Sequence, residues 1–334
     1  MLNYRITLEV LTPVYIGNGS QITKKDFFLE DGYAHIYDPI KLYLLFGKDY
    51  EEFLMNNFTL TDFLIRQSHR KNLNLKSALR YSVLLGDNSI RKSDGINEFI
   101  KDPYGMAYVP GSSLKGAIRT AILGNVISEK RGEYSGFSRE RIDQFGSTNK
   151  IEENAFGEFQ KSIFKNIRIS DSKPIDNSNL ILSKKIDIFK DGNSNNKLNL
   201  CRESLKPGTT IEFSLTIDDF EKGKYFEPEY IMKSINFFTD QYRAKYLKKF
   251  NSYKDEYGKD VLYLGGGTGF LTKTINQSLY GEDTLEKVSR FLEVKFKNHK
   301  HYKDRSIGIS PRAKKCTVIN RETMEMGICR IRID

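Results

Sequence analysis

The chain has 334 residues, 39% of them hydrophobic and 12% aromatic with no Trp, and its 53 Lys and Arg against 43 Asp and Glu give a formal charge of +10. That length allows a full core and about two domains. The composition excludes a disordered or low-complexity chain, and the sign of the charge favours a polyanionic partner.

Apolar runs such as Leu42 to Phe46 fall far short of the ~20 residues that a bilayer-spanning helix needs. The opening MLNYRITLEV is charged and has no apolar stretch of signal-peptide type. Cys201, Cys316 and Cys329 are odd in number and form no CxxC pair, which argues against a disulfide framework or a zinc site and suits a reducing cytoplasm. No cofactor or metal is expected.

In chain order, Tyr4 to Leu11 alternates polar and apolar residues and predicts a half-buried strand that Thr12-Pro13 ends. Residues 20–110 form a long elaboration. It holds a strand pair near Phe27–Leu29 and His35–Tyr37 and helical pieces near Asp49–Gln67 and Leu75–Leu85. After Pro110-Gly111 a helix is expected, capped by Ser112 or Ser113, with Leu114, Ile118, Ala121 and Ile122 on one face.

Residues 128–160 are polar and read as a flexible insertion, Ile163–Ile169 as a strand, and residues 191–196 as a mobile loop tip. Thr209–Ile217 is the cleanest alternation, with Ile211, Phe213, Leu215 and Ile217 on one face. Pro228 opens a helix striped by Ile231, Ile235, Phe238, Tyr242 and Tyr246. A glycine run at 265–269, a helix near Thr284–Val294 and a strand over Gly327–Ile333 complete the chain.

The long elements give strand, helix, strand, strand, helix, strand. This order predicts an α+β, ferredoxin-like or RRM-like antiparallel sheet core with helices on one face and large insertions. One elaborated unit is expected, with core pieces at about 1–19, 108–127 and 162–334 and an insertion at about 20–107. Two ferredoxin-like subdomains, 1–175 and 176–334, are the alternative division.

Three segments carry a resemblance: Leu11-Thr-Pro-Val-Tyr-Ile-Gly17, Tyr108-Val-Pro-Gly-Ser-Ser-Leu-Lys-Gly-Ala-Ile-Arg119, and Leu264-Gly-Gly-Gly-Thr-Gly-Phe270. In order and spacing they resemble the signatures of the RAMP superfamily of CRISPR ribonucleoproteins, and the resemblance covers nearly the whole chain. With Thr272-Lys273-Thr274 and a basic C-terminal stretch, the pattern is most similar to the fifth-subunit family of type III-A (Csm) effector complexes. That resemblance implies a non-catalytic subunit at one end of the Csm filament. It would grip the 3′ part of CRISPR RNA, contact other Csm subunits, the filament backbone subunit above all, and support RNA maturation by recruiting cellular nucleases.

The residues have a physical reading of their own. Pro-Gly-Ser-Ser before a helix presents backbone N–H groups and the Ser112 and Ser113 hydroxyls to an anion, and Lys115 and Arg119 share a face at i, i+4. Gly116 inside a helix costs ~1 kcal/mol relative to Ala, which calls for a close neighbour such as an RNA backbone. Gly265, Gly266 and Gly267 permit close backbone approach, with Thr268, Lys273 and Thr274 as donors. Phe270 stands where a third glycine of GxGxxG belongs, and Lys273 is misplaced for a Walker A loop, so an ATPase or dinucleotide enzyme is not expected. An ordinary capped helix and a plain turn remain the alternatives.

Lys295 to Lys315 holds eight Lys or Arg and one acid, Asp304. It reads either as a solvated loop or as a phosphate-tracking patch with Tyr302 available for stacking. Arg243 to Lys249 closes a helix, where cations suit the dipole.

A RAMP endoribonuclease is the rival, since general acid–base residues, often His, cleave RNA. His35, His69, His299 and His301 are scattered, and Tyr15 stands where many relatives carry a His. Tyr, with a pKa near 10, is a poor base. Asp218-Asp219 points to opposite strand faces, while Asp171 and Asp187 are isolated. A backbone subunit that cleaves RNA with one loop Asp is a further alternative, and a purely structural protein the third class.

Overall fold

The computed structural model describes residues 1–68, 74–139, 147–158, 162–195, 200–218 and 224–334. The chain opens with β1 (Leu2–Val10). It continues through β2 (Gly17–Ile22), β3 (Phe27–Glu30), β4 (Tyr33–Tyr37), α1 (Pro39–Phe46), α2 (Lys48–Met55), α3 (Leu60–Arg66), β5 (Leu79–Leu85) and β6 (Gly95–Phe99). The middle holds α4 (Gly111–Glu129), α5 (Arg131–Arg139), α6 (Ser147–Phe156), β7 (Ile167–Ile169), β8 (Leu180–Phe189), β9 (Ser194–Asn195), β10 (Leu200–Leu205) and β11 (Thr210–Ile217). Last come α7 (Pro228–Lys245), β12 (Val261–Tyr263), α8 (Asn276–Tyr280), α9 (Thr284–Lys295), α10 (Lys303–Ile307), β13 (Ala313–Ile319), β14 (Glu322–Glu325) and β15 (Ile328–Ile333).

One sheet has the order β12-β15-β1-β11-β7, with every pair antiparallel. Its last four strands, taken with α4 and α7, are the split βαββαβ unit that the element order predicts, so the α+β, ferredoxin-like core is present. Register explains the layering. Ile6 sits opposite Phe213 and Ile333, and Leu8 opposite Ile211 and Ile331, so one face of three strands is continuously apolar. Leu114, Ile118, Ala121 and Ile122 of α4 and Ile231, Ile235 and Phe238 of α7 are buried in the same core. Pro228 occupies the first turn of α7, as expected.

The other strands form a second, mixed sheet ordered β2-β6-β10-β8-β5-β4-β3, with β13 and β9 also on β8 and β14 on β13. It is stitched from residues 17–99, 180–205 and 313–325. Its inner face is tied by one carboxylate. Glu203 on β10 is fully buried and accepts from the Tyr81 hydroxyl at 2.7 Å, the Phe99 N–H at 2.9 Å and the Lys101 ammonium at 2.6 Å. Burial and the neighbouring Glu203 push the Tyr81 hydroxyl pKa up.

Several expectations are corrected. Leu75–Ala78 is a single 3-10 turn, and β5 follows it where helix was expected, because Val83 is buried between β4 and β8. Within 128–160 the described residues are largely helical, where an insertion without regular structure was expected; residues 140–146 and 159–160 lie outside the described residues. Helix α4 runs on to Glu129, and α5 and α6 follow. Their buried Tyr134, Ile151 and Phe156 hold them to the core, with Phe156 edge-on to Phe164 at 4.7 Å. Within Ile163–Ile169 only β7 is strand, after a 3-10 turn. The loop tip at 191–195 ends in β9, paired with β8, while Asn196 lies outside the described residues. The helical piece at 49–67 is two helices, and Thr59 caps the second in a reciprocal box with Asp62.

Replacing Lys101 by Met should destabilise the protein by about 3–5 kcal/mol, because Glu203 would be left charged and buried without its cation. Urea unfolding checks this, and the loss should shrink when Glu203→Gln is added.

Candidate nucleic-acid interface

Residues 11–17 form a strap from β1 to β2, pinned on both sides. Thr12 is fully buried and its hydroxyl accepts the Ile328 N–H at 2.8 Å. The Leu11 and Thr12 N–H groups donate to Ile328 O, and Gly327 N–H donates to Pro13 O. The glycine run lies directly on this strap. Gly266 N–H donates to Tyr15 O at 2.6 Å. Gly265 has φ +82, and a Cβ there would fall 2.2 Å from Tyr15 O, so no other residue fits. Thr268 is buried, its hydroxyl donating to Gly265 O at 3.3 Å and accepting from the Thr272 hydroxyl at 3.0 Å. The predicted donor Thr268 is thus an internal brace of the loop.

Cations gather beside the loop. Arg202 of β10 places its guanidinium 5.4 Å from the centre of the Tyr15 ring and Nη1 3.5 Å from Met326 Sδ. A Cβ at Gly267 would lie 3.0 Å from that Nη1, and the Arg202 Nε is buried without a hydrogen-bond partner. Burial, and then the neighbouring Arg202, hold the Lys273 ammonium below the usual lysine range. Lys185 of β8 is held low by burial and by Lys315, against the pull of Asp187. Lys315 pairs with Asp187 at 2.8 Å. Lys273, Arg202, Lys185 and Lys315 therefore form a row drawn from four separate segments. Tertiary pairing of β8, β10 and β13 brings them together. Arg202 and Lys185 carry no signal in the sequence beyond strand alternation.

The other predicted patch is at the start of α4. Pro110, extended at φ −60 and ψ 133, holds the cap position, and neither serine caps the helix. Asp171 does so from outside, its Oδ1 accepting the Gly111 N–H at 2.8 Å. Gly111 packs so tightly on β7 that a Cβ would fall 2.2 Å from Ile169 O, and this docking displaces the serines into the first turn. Ser112 is exposed and Ser113 half-buried. Lys115 donates to Ile167 O at 2.7 Å, and Arg119 pairs with Glu152. Gly116 faces open space, with nothing within 4 Å of a Cβ built there. The two patches are separate: α8, just after Lys273, packs on α4 at Gly124, about 18 Å along the helix from Ser112.

A model of the RAMP superfamily matches residues 7–271. A Streptococcus thermophilus protein named CRISPR system Cms protein Csm5 is 34% identical over 298 residues, 81% of this chain and 80% of that one. The chain belongs to the RAMP superfamily and to its Csm5 branch. A Mycobacterium tuberculosis (H37Rv) protein of the same name is 28% identical over 378 residues, 99% of this chain and 97% of the other. The fold matches a chain of the cryo-EM structure of a type III-A Csm–crRNA–target RNA ternary complex, with TM-score 0.72, 22% identity and 98% and 100% coverage. It also matches crystalline T. onnurineus Csm5, with TM-score 0.65, 22% identity and 97% and 99% coverage.

In this RAMP chain the open face of the ferredoxin-like sheet is ion-paired. Arg330 meets Glu9 at 2.8 Å, Lys173 meets Glu212 at 2.5 Å and Arg168 meets Asp218 at 2.6 Å. An RRM stacks bases on aromatic side chains of that face, so the loop row is the better candidate. The basic stretch 295–315 is neither a plain loop nor a uniform patch. Arg305 meets Glu293 at 3.4 Å, Arg312 meets Asp304 at 3.7 Å and Lys314 meets Glu325 at 3.7 Å, while Lys295, Lys297, Lys300 and Lys303 stay exposed.

The groups weighed for catalysis are engaged. His35 Nδ1 lies 2.8 Å from the Ser82 hydroxyl, Asp171 caps α4, Asp187 pairs with Lys315 and Asp218 with Arg168. His69 and Asp219 lie outside the described residues. Burial raises the Tyr15 pKa more than Arg202 lowers it, which takes it further from a general base. No helix among the described residues is long and apolar enough to cross a membrane.

With open space around Gly116, Gly116→Ala should stabilise the free protein by about 0.5–1 kcal/mol, read as a higher Tm. A lower Tm would show that the first turns of α4 have no room for a methyl group.

Proposed function

We propose that this chain is a non-catalytic RNA-binding subunit of a type III-A Csm effector complex, working in the cytoplasm. In this reading it holds the 3′ part of CRISPR RNA, caps one end of the filament against the backbone subunit, and supports maturation by cellular nucleases. The observation that carries it is the half-sequestered cation row beside the glycine loop. Lys273 and Arg202 repel one another, and an RNA phosphate beside them offsets that repulsion. Gly266, Gly267 and the Tyr15 ring form the wall along which a backbone passes. The first turns of α4, with Ser112, Ser113, Lys115 and Arg119, give a second contact, set apart from the loop along α4. The family names and the ternary-complex match support the assembly.

Lys115→Ala, Arg119→Ala and Lys273→Ala together should weaken single-stranded RNA binding and flatten the log–log salt dependence by ~0.7 for each phosphate no longer neutralised. Unchanged affinity rejects this surface. The depressed Lys273 also sets a pH dependence. A bound phosphate favours its charged form, so binding takes up a proton once pH exceeds the lowered pKa, and affinity falls as pH rises. Lys273→Arg, which stays charged, should remove that part of the fall.

In a reconstituted Csm system the protein should appear once per complex by native mass spectrometry, and guide RNAs made without it should keep untrimmed 3′ ends with normal 5′ ends. Pure protein with guide-like RNA and Mg²⁺ or Mn²⁺ should leave the RNA intact. Several copies per complex favour a backbone subunit, and cleavage that disappears on a His or Asp substitution favours the nuclease.

A further inference from the structure

The segment after α9 closes a cavity of about 390 Å³ whose lining includes His299, Lys300, His301, Arg312, Lys315 and Asp187. Its wall is built from behind by Asp304 of α10, which is fully buried. Asp304 Oδ2 accepts the Ser310 hydroxyl at 2.9 Å and meets His301 Nδ1 at 2.8 Å. With Nδ1 so engaged, Nε2 is the remaining polar atom of a ring that lines the cavity. Arg312 lies 3.7 Å from Asp304 Oδ1 and donates to the His299 and Lys300 carbonyls, bracing a turn in which Lys300 is left-handed at φ +53.

Among the described residues the lining brings Lys300, Arg312 and Lys315 together; Asp187 pairs with Lys315 and Asp304 lies behind Arg312, so Lys300 is the cation without an acid beside it in that wall. The lining residue His299 is backed by an exposed ring: Phe296, 45% exposed, stacks on it at 5.6 Å between centroids and 20° between planes. A volume of about 390 Å³ lies within the roughly 300–1,000 Å³ of small-molecule sites and exceeds what a bare oxyanion fills. Charge together with the flat His299 ring in the lining, backed by Phe296, fit a phosphate carrying a sugar and a base. Lys315 ends the row that begins at Lys273, so a strand lying on that row leads to this wall.

We propose that the cavity binds the terminal phosphate of a nucleotide, free or at the end of an RNA strand. Lys300, His301 and Arg312 hold the phosphate, and the Phe296–His299 stack receives the base. The site adjoins the RNA surface proposed above through Lys315 and, for an RNA end, rests on that reading, whereas a titration with free nucleotide reads it without RNA.

The test is calorimetric titration of the full-length protein with 3′-AMP, 5′-AMP and adenosine, and with one short RNA ending in a 3′-phosphate or a 3′-hydroxyl. Lys300→Gly removes the cation while easing the left-handed backbone, and His301→Gln keeps a polar side chain against Asp304. The phosphate-bearing ligands should outbind their phosphate-free counterparts, and each variant should erase that preference by on the order of tenfold. A preference shown by the RNA pair assigns the site to RNA ends, and one confined to AMP assigns it to free nucleotide. Equal binding with and without the phosphate, or variants that bind as the parent does, would overturn the proposal.

Discussion

The glycine run rests on the backbone of the 11–17 strap with no room for a side chain at Gly265, and much of the architecture depends on that crossing. The strap leaves β1 of one sheet and enters β2 of the other. The glycine run leaves β12 and leads to α8, which packs on α4. Gly327 N–H, just before β15, donates to the same strap. One close approach of three backbones thus fixes how the two sheets meet and where Tyr15, Arg202 and Lys273 lie relative to each other. A Cβ at Gly265 would separate the sheets rather than merely stiffen a loop.

The charge distribution follows from that arrangement. Many cations of this basic protein are matched by acids, on the open sheet face and through much of the 295–315 stretch. Beside the glycine loop they are not matched in the same way. Arg202 and Lys273 are desolvated together, and both are held below their ordinary pKa by burial first. Burying like charges side by side opposes folding, so an anion that arrives there recovers free energy that the empty site lacks. This is the physical content of reading the loop as a ligand site rather than a turn.

Catalysis asks for a different arrangement. A nuclease needs a base near its working pH within reach of a 2′-hydroxyl. Tyr15 has moved away from that range, His35 is hydrogen-bonded among stacked rings, and His301 is held by a buried carboxylate in a cavity distant in sequence from the loop. Asp171 caps α4 and Asp187 neutralises Lys315, so both carboxylates have structural employment that a catalytic role would disturb.

Alternation in Tyr4–Leu11 and Thr209–Ile217, the Pro228 start of α7 and the order of long elements determined the ferredoxin-like core from sequence, because strand and helix periodicities are local and the core simply buries whichever face is apolar. The three motif segments were legible for the same reason, as spacing within a short stretch. Other features depended on partners far away in the chain. β5 is a strand because β4 and β8 flank it, although Leu75, Leu79 and Val83 recur at the four-residue spacing of a helix. The α4 cap is Asp171, 60 residues on from Gly111, while the serines beside the cap looked sufficient locally. Arg202 and Lys185 became part of a cation row only when β8, β10 and β13 paired. Periodicity carries information about a residue's own element, whereas electrostatic grouping is set by which strands become neighbours, and that is decided by packing across the whole fold.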